Sequence, residues 1–186
     1  MSWITETNEQ DARGELREVY DELKQKRGKI ANILKVHSLN PGALRAHLDL
    51  YMELAFGRSG LARAEREAIG VVVAANNNCA YCVSHHAEML SRYEKDNEKL
   101  NRIMSGEHFD VLSDRSEKIL RYAAKLTVEP AAVTKADVEE LRAAGLSDDE
   151  ILDVNLITSY FNFVDRIALG LGVKFSDEEI AGYKSE

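Results

Sequence analysis

The amino-acid sequence predicts an all-α protein of about seven to nine helices. Only two prolines, Pro41 and Pro130, interrupt its 186 residues. Long runs rich in Ala, Leu, Glu, Lys and Arg favour helix almost everywhere. Apolar residues recur at spacings of three and four rather than in strict alternation, so no strand is expected. With 45% hydrophobic and 30% charged residues, the composition is that of a globular chain that folds without metal or disulfide support. At this length a single domain over residues 1–186 is expected, with its core at about 40–175.

In chain order, Leu16, Val19, Tyr20 and Leu23 share one face of a first amphipathic helix over about 11–24. Asn40 followed by Pro41 reads as a cap with proline at the first helical position, and Leu44, Leu48, Tyr51, Met52 and Ala55 carry that helix to Gly57. Ser59 is the expected cap of a third helix, whose far half, from Ile69 to Ala75, is apolar enough to be buried. The triplet Asn76-Asn77-Asn78 then breaks the pattern, because Asn competes for its own backbone and tolerates turns. A new helix starts beside Cys79 and runs toward Tyr93, with a short one following between Asp96 and Met104 and a loop from Gly106 to Leu112.

Ser113 opens the next helix, whose stripe is Ile119, Leu120, Tyr122, Ala123 and Leu126, and Pro130 stops it. Thr134 with Asp137 starts a short helix that ends at Gly145. Ser147 with Glu150 is a capping box opening a long, mostly buried helix to about Leu171, and the tail after Gly172 is polar. The net charge of -8 offers no attraction for phosphate backbones or anionic lipid, so neither nucleic acid nor membrane is an expected partner. The first residues lack the positive start and apolar core of a secretory signal, so a cytoplasmic protein is expected.

The chemistry concentrates at 78–86. The two cysteines, Cys79 and Cys82, stand three residues apart in a chain with no export signal, the pattern of a redox or metal motif rather than a structural staple. On a helix starting at Cys79 the sulfurs fall on one face, close enough for a disulfide, and the helix dipole favours a thiolate at the first cysteine. His86 lies four residues beyond Cys82 on that face, able to take a thiol proton. Glu67 is linked by a hairpin argument: if the chain reverses near Asn76 and Asn77, Glu67 faces His86 across two antiparallel helices and can orient it.

Alternatives stand beside this reading. The cysteines are small enough to be simple core residues. Zinc would find three ligands in Cys79, Cys82 and His86, with His37, His47 or His108 as a fourth, though none sits at diagnostic spacing. His85 points about 100° away from His86 and reads as a surface residue. Asn162, Asp165 and Arg166 form a polar run in an apolar helix, able to line the active-site pocket or an oligomer contact; the preferred reading is a structural lock in which Arg166 pairs with Asp165 or another carboxylate, and Tyr160 and Phe163 read as core or interface.

Glu67, the run Cys79-Ala80-Tyr81-Cys82 and His86 resemble the signature of the alkylhydroperoxidase D family, within the carboxymuconolactone decarboxylase-like fold. The stretch from Ser113 through Leu171, with Tyr160-Phe161-Asn162-Phe163-Val164-Asp165-Arg166, resembles the family's peroxidase-related branch. The resemblance implies an all-helical protomer, assembly into trimers or hexamers, and reduction of a hydroperoxide substrate through a dithiol–disulfide cycle that needs no cofactor or metal. It makes Cys82 the peroxidatic thiol, Cys79 the resolving thiol that meets an external reductant (a small thiol or a dithiol protein), and Glu67 with His86 the proton relay. Tyr81 stands where alkylhydroperoxidase D has a histidine; its hydroxyl can support the site by a hydrogen bond but cannot shuttle protons near neutral pH. A protein dithiol–disulfide oxidoreductase, or a redox-sensing or zinc-binding module, is the alternative outcome.

Overall fold

A computed structural model describes residues 2–106 and 109–180 and is entirely helical over them. The helices are α1 (Gly14–Arg27), α2 (Asn32–Lys35), α3 (Pro41–Phe56), α4 (Arg63–Asn76), α5 (Ala80–Leu90), α6 (Asn97–Ser105), α7 (Asp114–Val128), α8 (Lys135–Ala143), α9 (Asp148–Gly170) and α10 (Asp177–Ile180). Eight span nine residues or more; α2 and α10 are single turns of four residues, too short to show a period in sequence. The segment expected as a loop after Gly106 holds a 3-10 turn at Phe109–Val111 that buries Phe109.

The chain divides into two compact units, one comprising the residues up to Phe56 together with those from Arg166 onward, the other Gly57–Asp165. In the first unit, Leu16, Val19, Tyr20 and Leu23 of α1 bury against Leu44 and Leu48 of α3, the predicted stripes meeting face to face. Arg27 is buried beside them, its guanidinium 4.6 Å from the Phe56 ring centroid, a cation–π contact that offsets part of its desolvation. The C-terminal segment is tied to the same unit by Trp3 N–H donating to Leu171 O at 2.8 Å and Lys29 Nζ donating to Glu178 O at 2.9 Å.

This unit also buries a histidine pair. His37 Nδ1 lies 2.9 Å from Ile33 O and so carries its proton there, leaving Nε2 to accept from His47 Nδ1 at 3.2 Å. Burial lowers the pKa of both rings, that of His47 to about 4, with the neighbouring His37 adding to the effect.

The second unit is organised around α4, buried on every side from Arg66 to Ala74 and packed by α5, α6 and α7. Its start corrects the sequence reading. Ser59 does not cap it; the Ser59 hydroxyl donates to Asp153 and accepts from Leu61 N–H, and the chain makes one more turn before the helix. Ala62 takes the cap position, its N–H held by the Glu65 carboxylate at 2.8 Å. The caps expected at Asn40 and Ser147 form, and Asp96 caps α6 as well. Asn40 Oδ1 accepts from Ala43 N–H at 3.1 Å, Asp96 Oδ1 from Glu98 N–H at 2.9 Å, and Ser147 and Glu150 exchange bonds of 2.7 and 3.3 Å. Long helix α9 buries Val154, Ile157, Thr158 and Tyr160 but leaves Leu152 and Phe163 exposed, so Phe163 is not a core residue.

The turn between α4 and α5 is closed by a Schellman motif. Cys79 N–H donates to Ala74 O at 2.8 Å and Asn78 N–H to Ala75 O at 3.0 Å, which requires the residue between them and the helix to be left-handed. Asn78 supplies it with φ 57°, the one non-glycine residue at positive φ among the described residues. Asn does so at lower cost than any residue but glycine, because its short amide compensates locally. Cys79 is at once the last bonded residue of this motif and the N-cap of α5, its carbonyl accepting from Val83 N–H at 2.9 Å.

Two expectations follow. Asn78→Gly should leave urea-denaturation stability unchanged within experimental spread, whereas Asn78→Val, a β-branched residue in a left-handed position, should lower it by about 1–2 kcal/mol. The histidine pair makes the fold acid-labile: both rings are neutral when folded and protonate more readily once unfolded. Their contribution is therefore complete above about pH 6.5 and is lost as pH falls toward 4, on the order of 3 kcal/mol for His47. Unfolding free energies between pH 7 and pH 4.5 should fall less steeply in His47→Gln than in the wild type.

Candidate active site

The α4–α5 hairpin brings the predicted residues into one region. At its closed end Cys79 and Cys82 are free thiols with sulfurs 2.8 Å apart, 1% and 3% exposed. Cys82 sits in the first turn of α5, one turn above Cys79, so the spacing alone sets this proximity. Further along the hairpin Glu67 and His86 face each other, with Oε2 2.8 Å from Nδ1. Glu67 is only 4% exposed, and its other oxygen pairs with Arg63 Nη2 at 2.6 Å, one turn back on α4. The arginine compensates the buried carboxylate, which keeps Glu67 an acceptor for the ring.

Gly70 explains how the imidazole comes this close. A Cβ built there would lie 3.0 Å from His86 Cγ and Nδ1 and 3.0 Å from Phe161 Cε2. Without one, His86 rests against α4 with its other side edge-on to Phe161, ring centroids 4.3 Å apart. Tyr81 lies off this line. It is buried and stacks on His85 at 4.2 Å between centroids, while His85 Nδ1 is 2.7 Å from Tyr81 O. His85 is thus partly buried and packed on its own helix rather than the surface residue expected, because residues four apart on α5 stand over each other.

A residue read differently in sequence completes the cluster. Asp165 on α9 is 1% exposed, and its carboxylate lies within 4.8 Å of both sulfurs. His86 is not a member of that cluster. Asp165 is not locked to its neighbour: it points inward while Arg166 is exposed, as adjacent helical residues must when one is buried. Its Oδ2 accepts instead from Asn77 Nδ2 at 2.8 Å, and the same amide donates to Asn162 Oδ1 at 3.0 Å. Asn162 Nδ2 in turn donates to Thr127 Oγ1 at 3.0 Å, so a chain of neutral amides and hydroxyls holds the carboxylate in place. No amide or hydroxyl reaches Oδ1, which leaves it to the neighbouring thiols.

The electrostatics follow from burial. The adjacent Cys79 thiol, loss of solvent and the Asp165 carboxylate all push the Cys82 pKa well up, so the reduced protein carries Cys82 as a thiol. Burial likewise raises Asp165 above the usual carboxylate range, opposed by hydrogen bonds from Cys82 and Asn77. Cys79, Cys82 and Asp165 offer three donors, short of the four of a closed zinc site. Of the histidines considered as a fourth, His37 and His47 are bonded to each other in the first unit, and His108 lies outside the described residues.

Known proteins share this architecture. Residues 41–125 match the carboxymuconolactone decarboxylase family. An uncharacterised peroxidase-related protein from Silicibacter sp. TM1040 is 30% identical, covering 89% of this chain and 87% of its own, with a TM-score of 0.79. A peroxidase-related protein with an alkylhydroperoxidase AhpD core, from Ralstonia eutropha JMP134, is 27% identical over 96% of this chain and 94% of its own, with a TM-score of 0.85. The debrominase Bmp8, 20% identical with a TM-score of 0.78 over 96% of this chain and 97% of its own, shares the fold. The dithiol hairpin and the helices around it are therefore those of a family, and the chain belongs to the carboxymuconolactone decarboxylase family, alongside its AhpD-like, peroxidase-related members.

Proposed function

We propose that the protein is a thiol-dependent peroxidase that reduces hydroperoxides through a Cys79/Cys82 dithiol–disulfide cycle. The observation that carries the reading is the pair of free sulfurs 2.8 Å apart at the start of α5, with a carboxylate–imidazole pair on the same hairpin. Cys82 attacks the terminal peroxide oxygen, the O–O bond breaks, and the sulfur is left as a sulfenic acid while an alcohol departs. Cys79 condenses with that sulfenic acid, releasing water and forming the disulfide. An external thiol, small or protein-borne, restores the dithiol by exchange. Glu67 orients His86, and together they pass protons between the dithiol and solvent. The likeness to peroxidase-related relatives supports this reading, and assembly of several copies in the manner of AhpD-like proteins belongs to it.

The reduced protein, mixed once with cumene hydroperoxide and followed by mass spectrometry, should form the disulfide in the wild type. Cys79→Ser should accumulate a sulfenic acid and Cys82→Ser should not react. A wild type that stays reduced while peroxide persists would end the proposal. 2,3,4-Tribromopyrrole, bound by a cysteine variant of the debrominase with this fold, belongs beside it: disulfide formed with the bromopyrrole but not the peroxide would mean reductive dehalogenation. Glu67→Gln, which keeps a hydrogen bond to His86 but removes the charge, should slow disulfide formation by about 10²-fold.

A further inference from the structure

Asp165 is a buried acid with no ion-pair partner among the described residues. Glu67 has Arg63 at 2.6 Å, whereas Asp165 has one neutral amide on Oδ2 and, beyond it, only the neighbouring thiols as donors. A carboxylate buried among neutral donors keeps much of its desolvation cost, so the position asks for an explanation beyond packing. Its carboxylate lies within 4.8 Å of both reacting sulfurs. The titratable groups that act on it are Cys79, Cys82 and His86, all from α5 or its cap. No other described carboxylate or histidine joins the two sulfurs at that range.

Resting on the peroxidase reading, we propose that Asp165 is the proton carrier of the dithiol, a catalytic residue that takes the Cys82 proton as the sulfur attacks and delivers it to the departing alkoxide. The step balances. Cys82–SH, Asp165 carboxylate and ROOH pass to Cys82–SOH, ROH and Asp165 carboxylate. The S–O bond forms as O–O breaks, sulfur loses two electrons, and the proton that left sulfur ends on the alcohol. In the next step the Cys79 proton follows the same route to the hydroxide expelled from the sulfenic acid, giving the disulfide and water. Burial raises the proton affinity of Asp165, which makes it a better acceptor for the Cys82 proton. Metal binding fits less well: two thiolates on one zinc at about 2.3 Å in tetrahedral geometry stand about 3.7 Å apart, against 2.8 Å here.

The test uses two reagents that differ in one respect. Iodoacetamide alkylates a thiolate and expels iodide, which needs no proton; a hydroperoxide expels an alkoxide, which does. Removing the Asp165 charge uncovers the Cys82 thiolate and at the same time removes the proton carrier. At pH 7, reduced Asp165→Asn should be alkylated at Cys82, as mapped by mass spectrometry, more than tenfold faster than the wild type. It should form the disulfide from cumene hydroperoxide at least tenfold more slowly. Asp165→Ser should move both rates the same way, and unfolding curves for both variants establish that the site is intact. Two rates that fall together, as in a loosened site, or a peroxide rate that does not fall, overturn the proposal. So does zinc retained stoichiometrically by the purified wild type and lost with Asp165. A wild type inert to peroxide overturns the peroxidase reading and the transfer to alkoxide with it. The alkylation rates then show separately whether the Asp165 charge governs Cys82.

Discussion

The left-handed turn at Asn78 is the constraint on which the site depends. Closing α4 there commits the next backbone N–H, that of Cys79, to Ala74 O, and the same residue's carbonyl begins α5. One residue thus ends one helix and starts the next. The direction of α5, the depth of both sulfurs and the register that sets Glu67 against His86 all follow from that junction. Asn77, immediately before it, sends its amide to Asn162 and Asp165, so the same turn fixes the hairpin against α9.

Two buried carboxylates serve this hairpin, and the structure treats them differently. Glu67 is paired with Arg63 and engaged by an imidazole, an arrangement that directs the ring. Asp165 is held by one neutral amide beside two thiols, where proton transfer moves a charge instead of creating one.

The local features of the fold were legible in the sequence. Caps at Asn40 and Ser147 depend only on residues within one turn, and the amphipathic stripes of α1 and α3 depend only on helical periodicity. The facing of Glu67 and His86 could be read as well, because a hairpin fixes which residues oppose each other once its turn is located. Arg63 was within reach, one turn before Glu67. Asp165 was noticed but assigned to Arg166, since a polar run in an apolar helix does not say which side chain points inward. That depends on how α9 packs, a contact some 85 residues distant in sequence from Asn77. Ser59 misled for a related reason: its hydroxyl is taken by Asp153 of the same distant helix.

The closeness of the two sulfurs has a consequence for damage. A sulfenic acid on Cys82 can be oxidised again, irreversibly, by a second molecule of oxidant, or be captured by a neighbouring thiol. The second oxidant must diffuse into a site that is almost closed to solvent. The Cys79 sulfur is already in contact, and groups positioned in this way react with effective molarities of about 10⁵ M or more. On the peroxidase reading, capture by Cys79 therefore outruns over-oxidation, and the dithiol is protected by its geometry.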